Sequence, residues 1–227
     1  MTDSVVKAGR LRDQFDVLLV PDMSLRELRE GMSAKDVPPQ YAGGLGVAGI
    51  EAISNFVNGG GTLVLLDHAS ELGTEVLHVP VRPITAPQQL DDQVADSAPE
   101  RGGGEPEPLY APGSLLRVLV DASHPVGYGM PDTAAVYFTN SVTFDVAPSS
   151  PVRVIARYPD RGEDILLSGY LQGAQAIAGK AAAVEAPVGR GRVVMFGFRP
   201  QHRGQSYGTF RMLFNALLTG GRVATRN

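Results

Sequence analysis

The sequence predicts an α/β layer protein, a parallel strand–helix–strand unit followed by a β-rich second half. Three observations carry this. "FDVLLVPD" (15–22) and "TLVLLDHAS" (62–70) are short continuous apolar runs closed by polar residues, the pattern of strands buried on both faces. Between them "GVAGIEAISNFVNGGG" sets Ile50, Ile53, Phe56 and Val57 at helical spacing. Beyond residue 110 the chain turns to strand-like stretches with little helix between them.

Each element follows from local chemistry. A strand, a helix and a second strand make a crossover, and crossovers imply parallel pairing with helices on the sheet faces. Gly59-Gly60-Gly61 stops the first long helix. The stretch 91–108, "DDQVADSAPERGGGEPEP", is acidic and rich in Gly and Pro, so it reads as a mobile insertion. "SLLRVLVD", "AAVYFTNSVTFDV", "VRVIARYP" and "DILLSGYL" then read as strands. "KAAAVEAPVGRGRVVMFGF" reads as a hairpin turning at Gly189-Arg190-Gly191. "TFRMLFNALLTGG" predicts an amphipathic helix with Phe210, Leu213, Phe214 and Leu217 on one face and Gly220 at its end.

Bulk properties narrow the function classes. The 227 residues fit one domain spanning the whole chain. A net charge of −4 speaks against a nucleic-acid binder, which needs a basic face. No apolar run is long enough to span a bilayer, and the polar N-terminus has no apolar core of a signal peptide. Cys is absent, which removes disulfides, thiolate metal ligands and thiol nucleophiles together.

Three short motifs fail on context. "GLGVAG" (44–49) fits the dinucleotide fingerprint with Asp67 downstream, yet "KDVPPQYAG" precedes it where a strand is required. "GQSYG" (204–208) fits a hydrolase nucleophile elbow, but no Asp, Glu or His follows Ser206, so a helix cap is the better reading. "HASE" (68–71) offers His68 and Glu71 as a metal pair, with His202 as a third ligand. The competing reading is a strand-end His and a surface Glu.

Taken together, "FDVLLVPD", "REGM…PPQYAGGLG", "FVNGGGTLVLLD", "YAPGSLLRV", "HPVGYGMP", "AGKAAAVEAPVGRGRVVMFGFRPQHRGQ" and "LFNALL" resemble one known group. It is the glutamine-amidotransferase-like domain at the C-terminal end of certain bacterial zinc-carboxypeptidase-like proteins. The resemblance runs from about Thr2 to Thr219. It implies the class I amidotransferase fold, which is flavodoxin-like, with a mostly parallel sheet and helices on both faces. Active members carry a Cys on the turn after a central strand, with His and Glu from a late Phe-His-Pro-Glu. Here that turn reads Asp67-His68-Ala69-Ser70, putting His68 or a neighbour in the Cys place. Arg199 stands for the His and Gln201 for the Glu. An arginine stays protonated and cannot serve as a base, and a glutamine carries no charge to steady an imidazolium. The resemblance therefore implies a catalytically degenerate, non-enzymatic domain.

Members of this fold open with a strand and helix ahead of the "FDVLLVPD" equivalent. Only 14 residues precede Phe15 here, so either the first strand–helix unit is missing, which is the expectation, or another segment fills that sheet position. A missing unit would leave a bare sheet flank and so favour a homodimer. Ligands of open α/β sheets favour the carboxyl ends of the strands. The candidate pocket is accordingly Asp22, Tyr41, Asp67, His68, Ser70, Arg199, Gln201 and His202. Its expected occupant is a small polar or anionic ligand or a peptidase partner, with no cofactor implied. A solvated polar rim and a purely structural module are the alternatives, as is a metal-dependent hydrolase using His68, Glu71 and His202. The resembling proteins are often exported, whereas this chain shows no export signal.

Overall fold

Ten strands and four helices make up the computed structural model, which describes residues 2–86 and 107–221. The first half holds α1 (Asp3–Lys7), β1 (Val17–Val20), α2 (Leu25–Glu30), α3 (Gly46–Asn58), β2 (Thr62–Leu66) and β3 (Arg82–Ile84). The second half holds β4 (Ser114–Val120), β5 (Thr133–Phe138), β6 (Thr143–Asp145), β7 (Arg153–Arg157) and β8 (Leu166–Ser168). It ends with β9 (Ala181–Val188), β10 (Gly191–Phe196) and α4 (Tyr207–Thr219). Apart from Glu107 and Pro108, the expected mobile insertion lies outside the described residues.

The sheet runs β1-β2-β10-β9-β7-β4-β5, with β3, β6 and β8 attached alongside. It is mixed, and the expectation of a mostly parallel sheet is corrected. Among the described residues only β1–β2 and β2–β10 are parallel, whereas the other seven pairings are antiparallel. Connection length explains part of the pattern. A parallel pair needs a crossover of a dozen residues or more, and a short turn can make only an antiparallel one. The segment carrying α2 and α3 supplies such a crossover between β1 and β2. Of the antiparallel pairs only β4–β5 and β9–β10 join consecutive strands, the latter by a hairpin in which Val188 pairs Gly191 across Gly189 and Arg190.

Alternation along β2 sorts two cores. Leu63 and Leu65 face Ile50, Ile53, Phe56 and Val57 of α3. Val64 and Leu66 face the side where Met212 and Ala216 of α4 pack. Helices thus cover both faces, and every β2 side chain is buried. The α4 face differs from the expected one. Thr209, Met212 and Ala216 point inward, Leu213 and Leu217 are only partly covered, and Phe214 is 56% exposed. Among the described residues β1 pairs only with β2, so it forms a sheet edge.

Glycines seal the base of one loop. Gly43 N–H donates to the Met32 carbonyl at 2.8 Å. Gly31 has φ +68°, and a Cβ there would lie 1.8 Å from the Gly43 carbonyl oxygen. Two backbones meet where no side chain fits. The glycines of "GLGVAG" serve this junction and the start of α3, and a 3₁₀ turn at Pro39–Tyr41, not a strand, precedes them.

A buried charge network closes the far end of the sheet. Glu185 on β9 accepts from Arg192 Nη1 at 3.1 Å, with Arg153 Nη1 at 3.6 Å and His124 Nε2 at 3.7 Å. His124 Nδ1 accepts from Val126 N–H, so a neutral ring turns its Nε2 proton toward Glu185. Arg192 also donates to the Thr219 carbonyl at the end of α4. Burial alone would raise Glu185, but His124, Arg192 and Arg153 outweigh it and hold the carboxyl below its usual range. A carboxyl with a lowered folded pKa binds fewer protons folded than unfolded. Its stabilisation is full above the unfolded value and is lost as pH falls through the folded one. Glu185→Gln should therefore cost about 2 kcal/mol at neutral pH in denaturant unfolding. The gap to wild type should close as pH falls below 4.5, the ordinary value for a glutamate carboxyl.

Candidate functional site

Three strand ends converge on one cluster. Asp22 follows β1, Asp67 and His68 follow β2, and Arg199 follows β10. Because β2 lies between β1 and β10 and is parallel to both, their carboxyl ends must be neighbours. Asp67 opens the tight turn after β2 with φ +52°, a left-handed conformation that Asp tolerates better than most residues. Asp67 is fully buried, while the side chains of Asp22, Arg199 and His68 are about a quarter to a third exposed.

Arg199 joins the carboxylates. Its Nη2 lies 2.6 Å from Asp22 Oδ2, and its Nε donates to Asp67 Oδ2 at 3.2 Å. Ser141 Oγ donates to the same Asp67 oxygen at 2.7 Å. His68 Nδ1 sits 3.0 Å from Asp22 Oδ1 and 3.6 Å from Asp67 Oδ1. The latter oxygen is buried and has no hydrogen-bond partner among the described residues.

Each charge follows from its neighbours. The Asp22 hydrogen bond, helped by the carboxylates of Asp67, Asp22 and Glu71, raises His68 to about 9 against the opposing effect of burial. Burial alone would raise Asp22, but His68 and Arg199 outweigh it and hold it low. Burial raises Asp67, with Asp22 adding to the effect against His68, Ser141 and Arg199. The two carboxyls shift oppositely because Asp22 reaches solvent and Asp67 does not.

The remaining candidates scatter. Ser70 is buried beside the turn, and its hydroxyl has no partner among the described residues. Gln201 is exposed. His202 stacks on the Tyr137 ring at 4.7 Å. Glu71 Oε2 accepts from Leu25 N–H at 2.8 Å, capping the start of α2. Neither Glu71 nor His202 joins the carboxylate–imidazole group of Asp22, Asp67 and His68. Tyr41 is 70% exposed and lines a groove of about 590 Å³ beside β1, whose wall reaches Asp22. Ser206 takes the N-cap position of α4 without a side-chain capping bond, and Thr209 Oγ1 donates to the Pro200 carbonyl instead.

Sequence reasoning missed Ser141, which lies 74 residues from its partner on a loop without a motif. It also put weight on His68 at the turn, where Asp67 carries the left-handed backbone. The signal was present: an Asp directly after a buried strand is a residue suited to positive φ.

Arg199→Met should leave Asp22 and Asp67 with His68 alone to balance them and destabilise the protein by about 3 kcal/mol. Combining it with Asp67→Asn should recover part of that loss. A thermodynamic cycle by denaturant unfolding measures the coupling.

No family model matches the sequence, and no curated protein matches it either. Solved structures do. A cytoplasmic protein from Salmonella typhimurium has a TM-score of 0.52 at 13% identity, covering 96% of this chain and 78% of its own. A candidate GMP synthase component from Thermoplasma acidophilum gives 0.50 at 10% identity, with coverage of 97% and 79%. These likenesses concern the fold alone: the chain is similar in its α/β fold to this glutamine-amidotransferase-like structure, and builds it on a mixed sheet.

Proposed function

We propose that this chain is a catalytically degenerate amidotransferase-like module that acts by binding and assembly beside a peptidase-like protein. One observation carries the reading: the residue on the left-handed turn after β2, Asp67, is ion-paired to Arg199 at the end of β10. In the fold this sequence resembles, those two places belong to a thiol nucleophile and its imidazole base. Here a carboxylate stands in place of the thiol, and a permanently charged guanidinium, which cannot take a proton at neutral pH, stands in place of the base. The peptidase association rests on the resemblance of the sequence stretches.

For assembly, the partner we propose is a second copy, seated on α4. Tyr207, Phe210 and Phe214 form a ladder of edge-on rings at 5.4 and 6.5 Å along the outer side of this helix. Leu218 continues it, and Tyr128 lies beside it, held through its carbonyl by Asn215. Tyr207, Leu218 and Tyr128 are each about three-quarters exposed. With Phe214 they present on the order of 500 Å² of mainly apolar side chain. This is a large part of the roughly 800 Å² each partner contributes to a stable interface. Arg211 is the only charged residue of α4, and an antiparallel meeting of two copies opposes their helix dipoles.

Purified protein should release no ammonia from glutamine. Release that disappears in Asp67→Asn would overturn the inactivity reading. Light scattering should give a dimer at tens of micromolar, converted to monomer by Phe214→Glu with Leu218→Glu. A monomeric wild type would refute the α4 interface and leave its stripe to a different protein.

A further inference from the structure

We propose that Asp22, Asp67 and His68 bind one divalent transition cation of the zinc class at the turn following β2. This site is distinct from the set His68, Glu71 and His202, since Glu71 caps α2 and His202 stacks on Tyr137. Each of the three residues offers one ligand atom, and these atoms lie within 4.8 Å of one another. His68 Nδ1 stands 3.0 Å from Asp22 Oδ1 and 3.6 Å from Asp67 Oδ1. Zinc held by nitrogen and carboxylate oxygen at about 2.0–2.1 Å has tetrahedral ligand edges of roughly 3.4 Å. The observed separations bracket that length.

A second observation points the same way. Asp67 Oδ1 is fully buried, faces the His68 ring and has no donor among the described residues. Leaving a buried carboxylate oxygen bare is costly, and a cation would satisfy it. The outer oxygens are already engaged, Asp22 Oδ2 by Arg199 and Asp67 Oδ2 by Arg199 and Ser141. Arg199 therefore grips the backs of the two carboxylates; inside, Asp67 Oδ1 is bare and Asp22 Oδ1 is engaged only by His68, by its backbone N–H at 3.3 Å and its Nδ1 at 3.0 Å, where the cation would replace the ring proton. Outer partners of this kind orient metal-binding carboxylates. One imidazole nitrogen with two carboxylate oxygens suits zinc, cobalt or manganese, whereas calcium demands more oxygens and copper(I) prefers sulfur. The partial exposure of Asp22 and His68 leaves the fourth position open to solvent.

The test uses the full chain, stripped with chelator and titrated with zinc chloride by calorimetry. One equivalent should bind at micromolar affinity or tighter. Asp22→Asn and Asp67→Asn should each weaken binding about tenfold or more, and His68→Gln should abolish it. His202→Gln should leave it unchanged. Cobalt(II) loaded into the wild type, and displaced by zinc, should show the intense visible bands of a low-coordinate site. This readout holds even if a variant fails to fold. Absence of saturable binding, binding that survives His68→Gln, or a pale six-coordinate cobalt spectrum would each overturn the proposal and leave an ion-pair network alone. The glutamine assay reports separately on the degenerate-enzyme reading, so the two can fail independently.

Discussion

The contact of Arg199 with Asp22 and Asp67 is the constraint on which this end of the molecule depends. Three strand termini, two of them acidic, are forced together by the parallel order of β1, β2 and β10. Two carboxylates at such close quarters repel unless a cation lies between them. The guanidinium suits this role because it is planar, always charged and able to donate in two directions at once. Ser141 supplies a further donor from the β5–β6 side, which ties the antiparallel half of the sheet to the parallel one.

Much of the fold was legible in the sequence. The β1 and β2 runs, the inward face of α3 and the hairpin at Gly189 follow from periodicity and turn chemistry. The direction of pairing across the whole sheet was not, because apolar strands look alike whichever way they pair. Connection length tells the direction only for strands that follow one another, as in the β9–β10 hairpin, and most pairs of the second half join strands distant in sequence. The α4 face was misjudged for a related reason. Apolar residues run almost round this helix, so spacing alone could not separate Met212 and Ala216, which are buried, from Phe214, which is not.

The site was legible in part. Asp22, Asp67, His68 and Arg199 were all expected at strand ends, and strand ends do bring them together. Tyr41, Gln201 and His202 lie on segments whose paths no periodicity sets: Tyr41 reaches only the groove beside Asp22, Gln201 is exposed, and His202 stacks on Tyr137. Glu71 illustrates the limit well. A carboxylate one turn past a histidine resembles a ligand pair, yet it satisfies a backbone N–H at the start of α2.

The glycine junction between residues 31 and 43 has a consequence for how this chain can vary. The loop between those backbones is closed at its base by main-chain contacts alone, and its outer residues Met32 and Tyr41 are exposed. Lengthening a closed loop is inexpensive, with a doubling adding only about 0.6 kcal/mol. The stretch is therefore a natural graft point, where a tag or a foreign peptide can be carried beside the groove without disturbing either core.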